Sequence, residues 1–276
     1  MRIQLGPEAT VFAVLDPTRM VQPALERAET VARGARSKLH LFCCTHDADQ
    51  EGVQEHQQAV IAELADWIDR LAVRARDEGL SVTTQVEWLE DWRQAIVDAA
   101  AAADAGLVVK TASRHSALGR RFLRTSDWTL LRESHCPILL VSDRSRWDRK
   151  AVLAAVKLDP EDATYDQLNK DVLSVASAIA ENAGFELHAV SASEGEALLD
   201  RQKFADAVNL PRNCVHGAPG SPYEVIAEAA SDVGAAVVVV GSPTSSIARD
   251  TLTKAHTAHW LIDHVDTDVF VVPAGA

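Results

Sequence analysis

At 276 residues, with 47% hydrophobic and 24% charged side chains, the chain has room for two ordinary domains and a composition that excludes disorder and low complexity. A formal net charge of −13 excludes the Lys/Arg-rich surface that general nucleic-acid binding needs. No apolar run approaches the roughly 20 residues of a membrane span, and Met1-Arg2-Ile3 opens no signal peptide, so a cytoplasmic protein with neither a membrane nor a nucleic-acid partner is expected.

The first apolar run, residues 10–15, reads as a strand stopped by Asp16-Pro17. From about 20 to 37, Val21, Leu25, Ala28, Val31, Ala32 and Ala35 recur at helical spacing. Residues 38–46, centred on Leu39-His40-Leu41-Phe42-Cys43-Cys44, are β-like. A long helix is predicted over about 55–78, with Val60, Leu64, Trp67, Ile68, Leu71 and Ala75 on one stripe and Gly79 suited to its stop. Strand 82–88, Ala-rich helix 94–103, strand 107–109, helix 127–134 and strand 137–141 complete the first series. Such alternation predicts a doubly wound, mainly parallel sheet with right-handed crossovers.

After a polar linker, 142–150, the pattern begins again. Strand 152–158 runs into Asp159-Pro160, and helix 164–183 is ended by Gly184. Then follow strand 186–190, helix 196–208, short strand 213–216, helix 223–231 started by Pro222, strand 237–241, helix 259–265 and strand 269–272. The chain therefore reads as an internal repeat of two α/β domains, 1–145 and 150–276, each a five-stranded doubly wound parallel sheet. Matching Asp16 to Asp159 and Lys110 to Gly241 makes the second copy about a dozen residues shorter between those points (159 − 16 = 143 against 241 − 110 = 131). Most of that loss falls between its second and third strands, which leaves the second cleft more open. The last strand of each copy is an edge that fusion can pair within one chain as an intramolecular pseudo-dimer, with a further homodimer also open.

Four consecutive residues, Val237 to Val240, suit a strand covered on both faces. The following Gly241-Ser242-Pro243-Thr244 lies where an open α/β sheet presents backbone N–H groups and hydroxyls to a ligand, although turn chemistry alone also accounts for it. Other chemistry has less support. His256 and His259 with His264, and Cys43, Cys44 and His46, lack a third and fourth ligand at usual spacing, so no metal is expected. There is no G-x-S-x-G elbow; Cys214 shares a strand face with His216, and Cys136 adjoins His135, but neither has an orienting partner, so no catalytic residue is expected. Without C-x-x-C spacing, the four Cys fit reduced thiols.

Several stretches together resemble the universal stress protein family in its tandem, E-type form, over nearly the whole chain. In the first half they are Val14-Leu15-Asp16-Pro17 with Gln22-Pro23-Ala24-Leu25, Leu107-Val108-Val109-Lys110, Thr125-Ser126-Asp127-Trp128 and Cys136-Pro137-Ile138. In the second they are Gly217-Ala218-Pro219, Val238-Val239-Val240-Gly241 and Ile262-Asp263-His264. The resemblance implies two flavodoxin-like (adenine nucleotide alpha hydrolase-like) domains and a cytoplasmic stress-response role. In some members it also implies ATP, bound by an Asp ending the first strand and a Gly-x2-Gly-x9-Gly-(Ser/Thr) loop after the fourth. Here Asp16 is followed by Lys110, Ser113 and Thr125-Ser126 at the loop positions, and Asp159 by Gly241, Thr244 and roughly Ala255-His256. Each lost Gly adds a Cβ where the chain would touch a phosphate.

The expectation is a non-enzymatic stress-response protein with an unidentified small-molecule or protein partner. The small molecule is placed in the second-domain cleft, at Asp159, Gly241, Ser242 and Thr244, with ATP and slow hydrolysis there as the alternative. In the first cleft Asp16 and Lys110 flank the topological switch point. They are expected to pair and plug it, or else Lys110 holds an anion.

Overall fold

The computed structural model describes residues 5–46, 54–113, 126–145, 148–158, 163–193, 200–243 and 256–275. The chain divides into two compact units, 4–141 and Ser142–Ala276. The first contains β1 (Thr10–Leu15), α1 (Pro23–Ala35), β2 (Lys38–Thr45), α2 (Gln54–Asp77), β3 (Val82–Trp88), α3 (Trp92–Ala102), β4 (Ala105–Thr111), α4 (Ser126–Glu133) and β5 (Ile138–Val141). The second contains β6 (Ala151–Ala155), α5 (Asp166–Ala183), β7 (Glu186–Ser193), α6 (Arg201–Val208), β8 (Val215–Pro219), α7 (Pro222–Asp232), β9 (Ala235–Ser242), α8 (His256–His264) and β10 (Asp268–Pro273). Strand order is β3-β2-β1-β4-β5 in the first unit and, equivalently, β8-β7-β6-β9-β10 in the second. All the pairs are parallel. Helices cover the faces, so the central strands lose the polar alternation of a half-exposed sheet: Val11, Phe12, Val108, Val109, Leu153, Val238 and Val239 are fully buried.

Local chemistry sets the helix ends. Pro23 starts α1, where its missing N–H costs nothing, and Arg36 ends it in the left-handed conformation. Asp91 accepts from the Gln94 N–H and starts α3 earlier than the apolar spacing alone suggests. Asp200 accepts from the Gln202 and Lys203 N–H groups, so α6 runs from Arg201; residues 196–199, also expected in that helix, lie outside the described residues. The stretch read as a linker is partly bound within the second unit. There the Ser142 N–H donates to Asp268 Oδ1 at 3.0 Å, and Arg144 lies 3.7 Å from Asp266.

Register shows which residues of the two units correspond. β4 slips against β1 between Thr10 and Val11, and β9 slips against β6 between Ala151 and Val152. Just before these strands, Asp104 and Gly234 both turn left-handed, with φ of 49° and 61°. Counting onward from the slip, Lys110 sits opposite Val14, and Val240 opposite Ala155. The counterpart of Lys110 is therefore Val240, and that of Gly241 is Thr111. Beyond the first strands, Asp16 corresponds to Lys157, and an amide clamp repeats there. In the first unit Gln22 accepts from the Asp16 N–H at 3.1 Å and donates to its carbonyl at 2.6 Å. In the second, Asn169 does the same to Lys157, at 3.0 and 2.7 Å.

This corrects both sequence matches, Asp16 with Asp159 and Lys110 with Gly241. An Asp-Pro follows each first strand, but Asp16 directly follows β1 whereas Asp159 stands four positions beyond the end of β6. The connecting helices also differ in opposite directions. α5 has 18 residues against 13 in α1, while α6 has 8 against 24 in α2.

His40 illustrates how the first unit satisfies a polar side chain on its β2–β3 pair. Its Nε2–H donates to Gln85 Oε1 at 3.1 Å, Thr83 Oγ1 lies 2.8 Å from Nδ1, and the ring stacks on Phe12. Burial disfavours the imidazolium and lowers the His40 pKa below its usual 6.5, against a smaller upward pull from Gln85. The folded value is the lower one, so the unfolded chain binds the proton first. The contribution of neutral His40 is complete above about pH 6.5 and is lost as pH falls through the folded pKa. The melting temperature should therefore fall on acidification from pH 7.5 to 5.5. His40→Gln should lower it at pH 7.5 and flatten part of that fall; an unchanged pH profile would remove His40 from this role.

Candidate functional site

The carboxyl ends of the first and fourth strands form the candidate site in each unit, because open α/β sheets offer their topological switch point there. In the first unit, Asp16 is exposed at the end of β1. Its Oδ1 accepts from the Thr18 N–H at 2.9 Å and from the Thr18 hydroxyl at 2.6 Å, which closes a local turn. The expected Asp16–Lys110 pair does not form. Lys110, only 8% exposed, instead extends to α4, where its ammonium donates to Asp127 Oδ1 at 2.7 Å, the Thr111 carbonyl at 3.0 Å and Ser113 Oγ at 3.3 Å. Those three bonds use all three ammonium donors. Asp127, 2% exposed, accepts the Ser113 N–H at 2.6 Å on its other oxygen. One carboxylate thus neutralises the buried cation and anchors the first residues after β4.

Asp127 was absent from the expected site residues, although its spacing carries a signal. It lies three and four residues before the buried Leu130 and Leu131, and so falls on the helix face that packs inward.

The second unit fills the same positions without charge. Leu130 and Leu261 are both fully buried and accept the closing hydrogen bonds of α4 and α8, from Ser134 and Val265. Three residues before them stand Asp127 and Ala258. The pair corresponding to Lys110 and Asp127 is thus Val240 and Ala258, at 3% and 4% exposure.

Gly241 is placed at the end of β9 as expected, but for another reason. Its φ is not positive, and a Cβ built on it would lie 2.6 Å from Leu168 Cγ and 2.7 Å from Cδ2. Leu168, 5% exposed, comes from the first turn of α5. What makes this position glycine is therefore a packed leucine. Ser242 is buried beside it and pairs with Pro273 in the register of β10. Lys157, exposed at the end of β6, lays its ammonium over the Tyr165 ring at 4.5 Å. Asp159 and Thr244 lie outside the described residues. Of the expected site residues the structure thus describes Gly241 and Ser242 at the end of β9 and separates Asp16 from Lys110; Lys157, Leu168 and Asn169 join the second strand end without having been expected there.

The cysteine thiols offer no ready nucleophile. Burial pushes Cys43 up to about 12 and Cys44 up to about 11. It also raises Cys136 and Cys214, the latter with help from the neighbouring Glu186 carboxylate. His264, considered as a metal ligand, instead bonds the Trp260 carbonyl at 2.7 Å and stacks on that indole. The side chains of His256 and His259 are outside the described set.

A family model described as "Universal stress protein family" matches residues 10–142. The chain is 25% identical over 297 residues to universal stress protein E of Escherichia coli K12, covering 95% of this chain and 93% of that protein. The corresponding protein of Photorhabdus laumondii is 23% identical over 301 residues, with 95% and 94% covered. Among solved structures, a functionally unknown protein of Pseudomonas aeruginosa PAO1 superposes with a TM-score of 0.76 at 27% identity, covering 98% of this chain and 94% of the other. A universal stress protein of Archaeoglobus fulgidus shares the fold, with a TM-score of 0.71 at 16% identity and coverage of 96% and 98%.

Two outcomes test this geometry. Lys110→Met or Asp127→Asn alone leaves a buried charge without its partner and should cost about 3–5 kcal/mol, whereas Lys110→Val with Asp127→Ala, which copies the second unit, should be near neutral or stabilising in denaturant unfolding. Gly241→Ala should cost about 1–3 kcal/mol by forcing Leu168 to move, and most of that cost should vanish in a Leu168→Ala background.

Proposed function

The chain belongs to the universal stress protein family in its two-domain form, with the stress-response role that membership supports, and on that basis we propose that it acts by binding rather than by catalysis. The second-domain strand end takes a small anionic molecule, and the protein works in the cytoplasm. The carrying observation is the inversion of charge at equivalent positions. Asp16 ends the first strand of one unit, and the exposed Lys157 ends the first strand of the other. An exposed cation at a topological switch point favours an anion, and an exposed carboxylate repels one. Lys110 offers no second anion site, because its donors are spent on Asp127, Thr111 and Ser113. Raised thiol pKa values speak against a cysteine nucleophile. No helix among the described residues is long and apolar enough to cross a membrane.

The alternative, ATP binding with slow hydrolysis in the second domain, draws on Gly241 followed by Ser242 at the end of β9. Leu168 packed on Gly241 argues against it, since the space a phosphate would need beside that Cα is taken by a side chain. Native mass spectrometry of the full chain purified without added ligand, with equilibrium dialysis against Mg²⁺ and ATP, separates the readings. The expected result is a small-molecule adduct that is diminished in Lys157→Ala, with no saturable micromolar ATP binding. Saturable ATP binding with phosphate release would overturn the proposal, and a bare mass would turn it toward a protein partner.

A further inference from the structure

At the amino end of the second sheet, away from the strand ends discussed above, four side chains with metal-binding chemistry meet on one face of the β7–β8 pair. Glu186 and His188 alternate along β7, and Cys214 and His216 alternate along the chain entering β8. The register sets Ala189 beside Val215, which puts His188 level with Cys214. Ligand atoms of Glu186, His188 and Cys214 all lie within 4.8 Å of one another. His188 Nε2 is 3.4 Å from Glu186 Oε2, Cys214 Sγ is 3.5 Å from Glu186 Oε1, and His188 Nδ1 is 3.0 Å from His216 Nε2.

The first unit supplies an internal comparison. Leu39 pairs with Val11 as Leu187 pairs with Val152, so Lys38 and His40 correspond to Glu186 and His188. Following the same register across, Thr83 and Gln85 correspond to Cys214 and His216. In that unit the histidine has two ordinary hydrogen-bond partners, Thr83 and Gln85, and Lys38 turns to Glu8. A single histidine at this position is thus a packing feature of the fold. In the second unit the other three positions carry a carboxylate, a thiol and an imidazole.

We propose that Glu186, His188 and Cys214 hold one divalent transition-metal ion of the zinc type, and that His216 positions His188. A tetrahedral ion about 2.1 Å from O and N ligands and about 2.3 Å from sulfur sets ligand–ligand edges of roughly 3.4 Å between N and O and roughly 3.6 Å between S and O; His188 lies 3.4 Å from one Glu186 oxygen and Cys214 3.5 Å from the other, so a small rotation of the exposed carboxylate brings a single oxygen to both edges. With Nδ1–H donated to His216, the His188 Nε2 lone pair is directed at the ion, the usual outer hydrogen bond of a metal-bound histidine. Cys214 binds as thiolate and releases the proton that it otherwise shares with Glu186. Thiolate and carboxylate together balance the dication, and their mixture with imidazole selects zinc or cobalt over magnesium or calcium. Three protein ligands leave a fourth position for water.

Cobalt(II) titration of the chelator-stripped full chain tests this. The expected result is one ion per chain, the visible bands of four-coordinate cobalt, and a near-ultraviolet thiolate-to-cobalt band that Zn²⁺ displaces. Cys214→Ser should abolish the near-ultraviolet band, and His216→Gln should keep it while weakening affinity by roughly 10- to 100-fold. His40→Gln and Cys43→Ser with Cys44→Ser should leave it unchanged. Circular dichroism of each metal-free variant checks folding. Glu186 is exposed, so Glu186→Gln tests the site without disturbing the core and should weaken affinity by at least 10-fold. No thiolate band, a band that survives Cys214→Ser, or unchanged affinity in Glu186→Gln would overturn the site.

Discussion

A side chain in a parallel strand covered on both faces reaches one helical layer or the other, and a step of one residue changes which. At the end of β4 this constraint sends Lys110 to α4, where Asp127 meets it at 2.7 Å, and turns Thr111 toward α1, where its hydroxyl accepts the Ala24 N–H at 3.3 Å. In the second domain Val240 and Gly241 occupy those two positions, and Gly241 accordingly faces Leu168 of α5. Which residue meets a helix, a partner charge or a ligand at the strand ends follows from that alternation.

The two domains solve the same buried position in opposite ways. Lys110 with Asp127 takes two charges out of water, which costs several kcal/mol before their attraction is counted. Val240 with Ala258 carries no such cost and gains apolar contact. The charged solution does one thing the apolar one cannot: Asp127 also accepts the Ser113 N–H, so the ion pair sets the path of the chain as it leaves β4. In the second domain Ala258 stands in place of that carboxylate, and among the described residues Leu168 and the Asn169 clamp on Lys157 shape the strand end. The longer α5 contributes both residues. Helix length, 18 residues in α5 against 13 in α1, thus decides what covers the strand end.

The misplaced matches have a common origin. Asp16-Pro17 and Asp159-Pro160 look alike, but backbone register and the amide clamp pair Asp16 with Lys157. A one-residue error in matching Lys110 with Gly241 exchanges the two helical layers between the copies, and Gly241, placed like a phosphate-loop glycine at its strand exit, is a packing glycine under Leu168. The Glu186, His188, Cys214 and His216 cluster was half visible, since 214 and 216 share a strand face by alternation. Their neighbours on β7 are far away in sequence, and only the β7–β8 register joins the halves.

The sequence by itself determined the α/β class, the five-strand alternation, the duplication and the family, because these depend on local periodicity, helix-start and helix-stop residues and short motifs. Burial of the central strands on both faces was equally plain in the runs of Val. Tertiary structure alone decided that Lys110 meets Asp127, that Leu168 lies on Gly241, and that a thiol, a carboxylate and two imidazoles converge. Each of these contacts joins residues on different elements, and its existence depends on register and side-chain direction to within one residue, which composition and spacing do not encode.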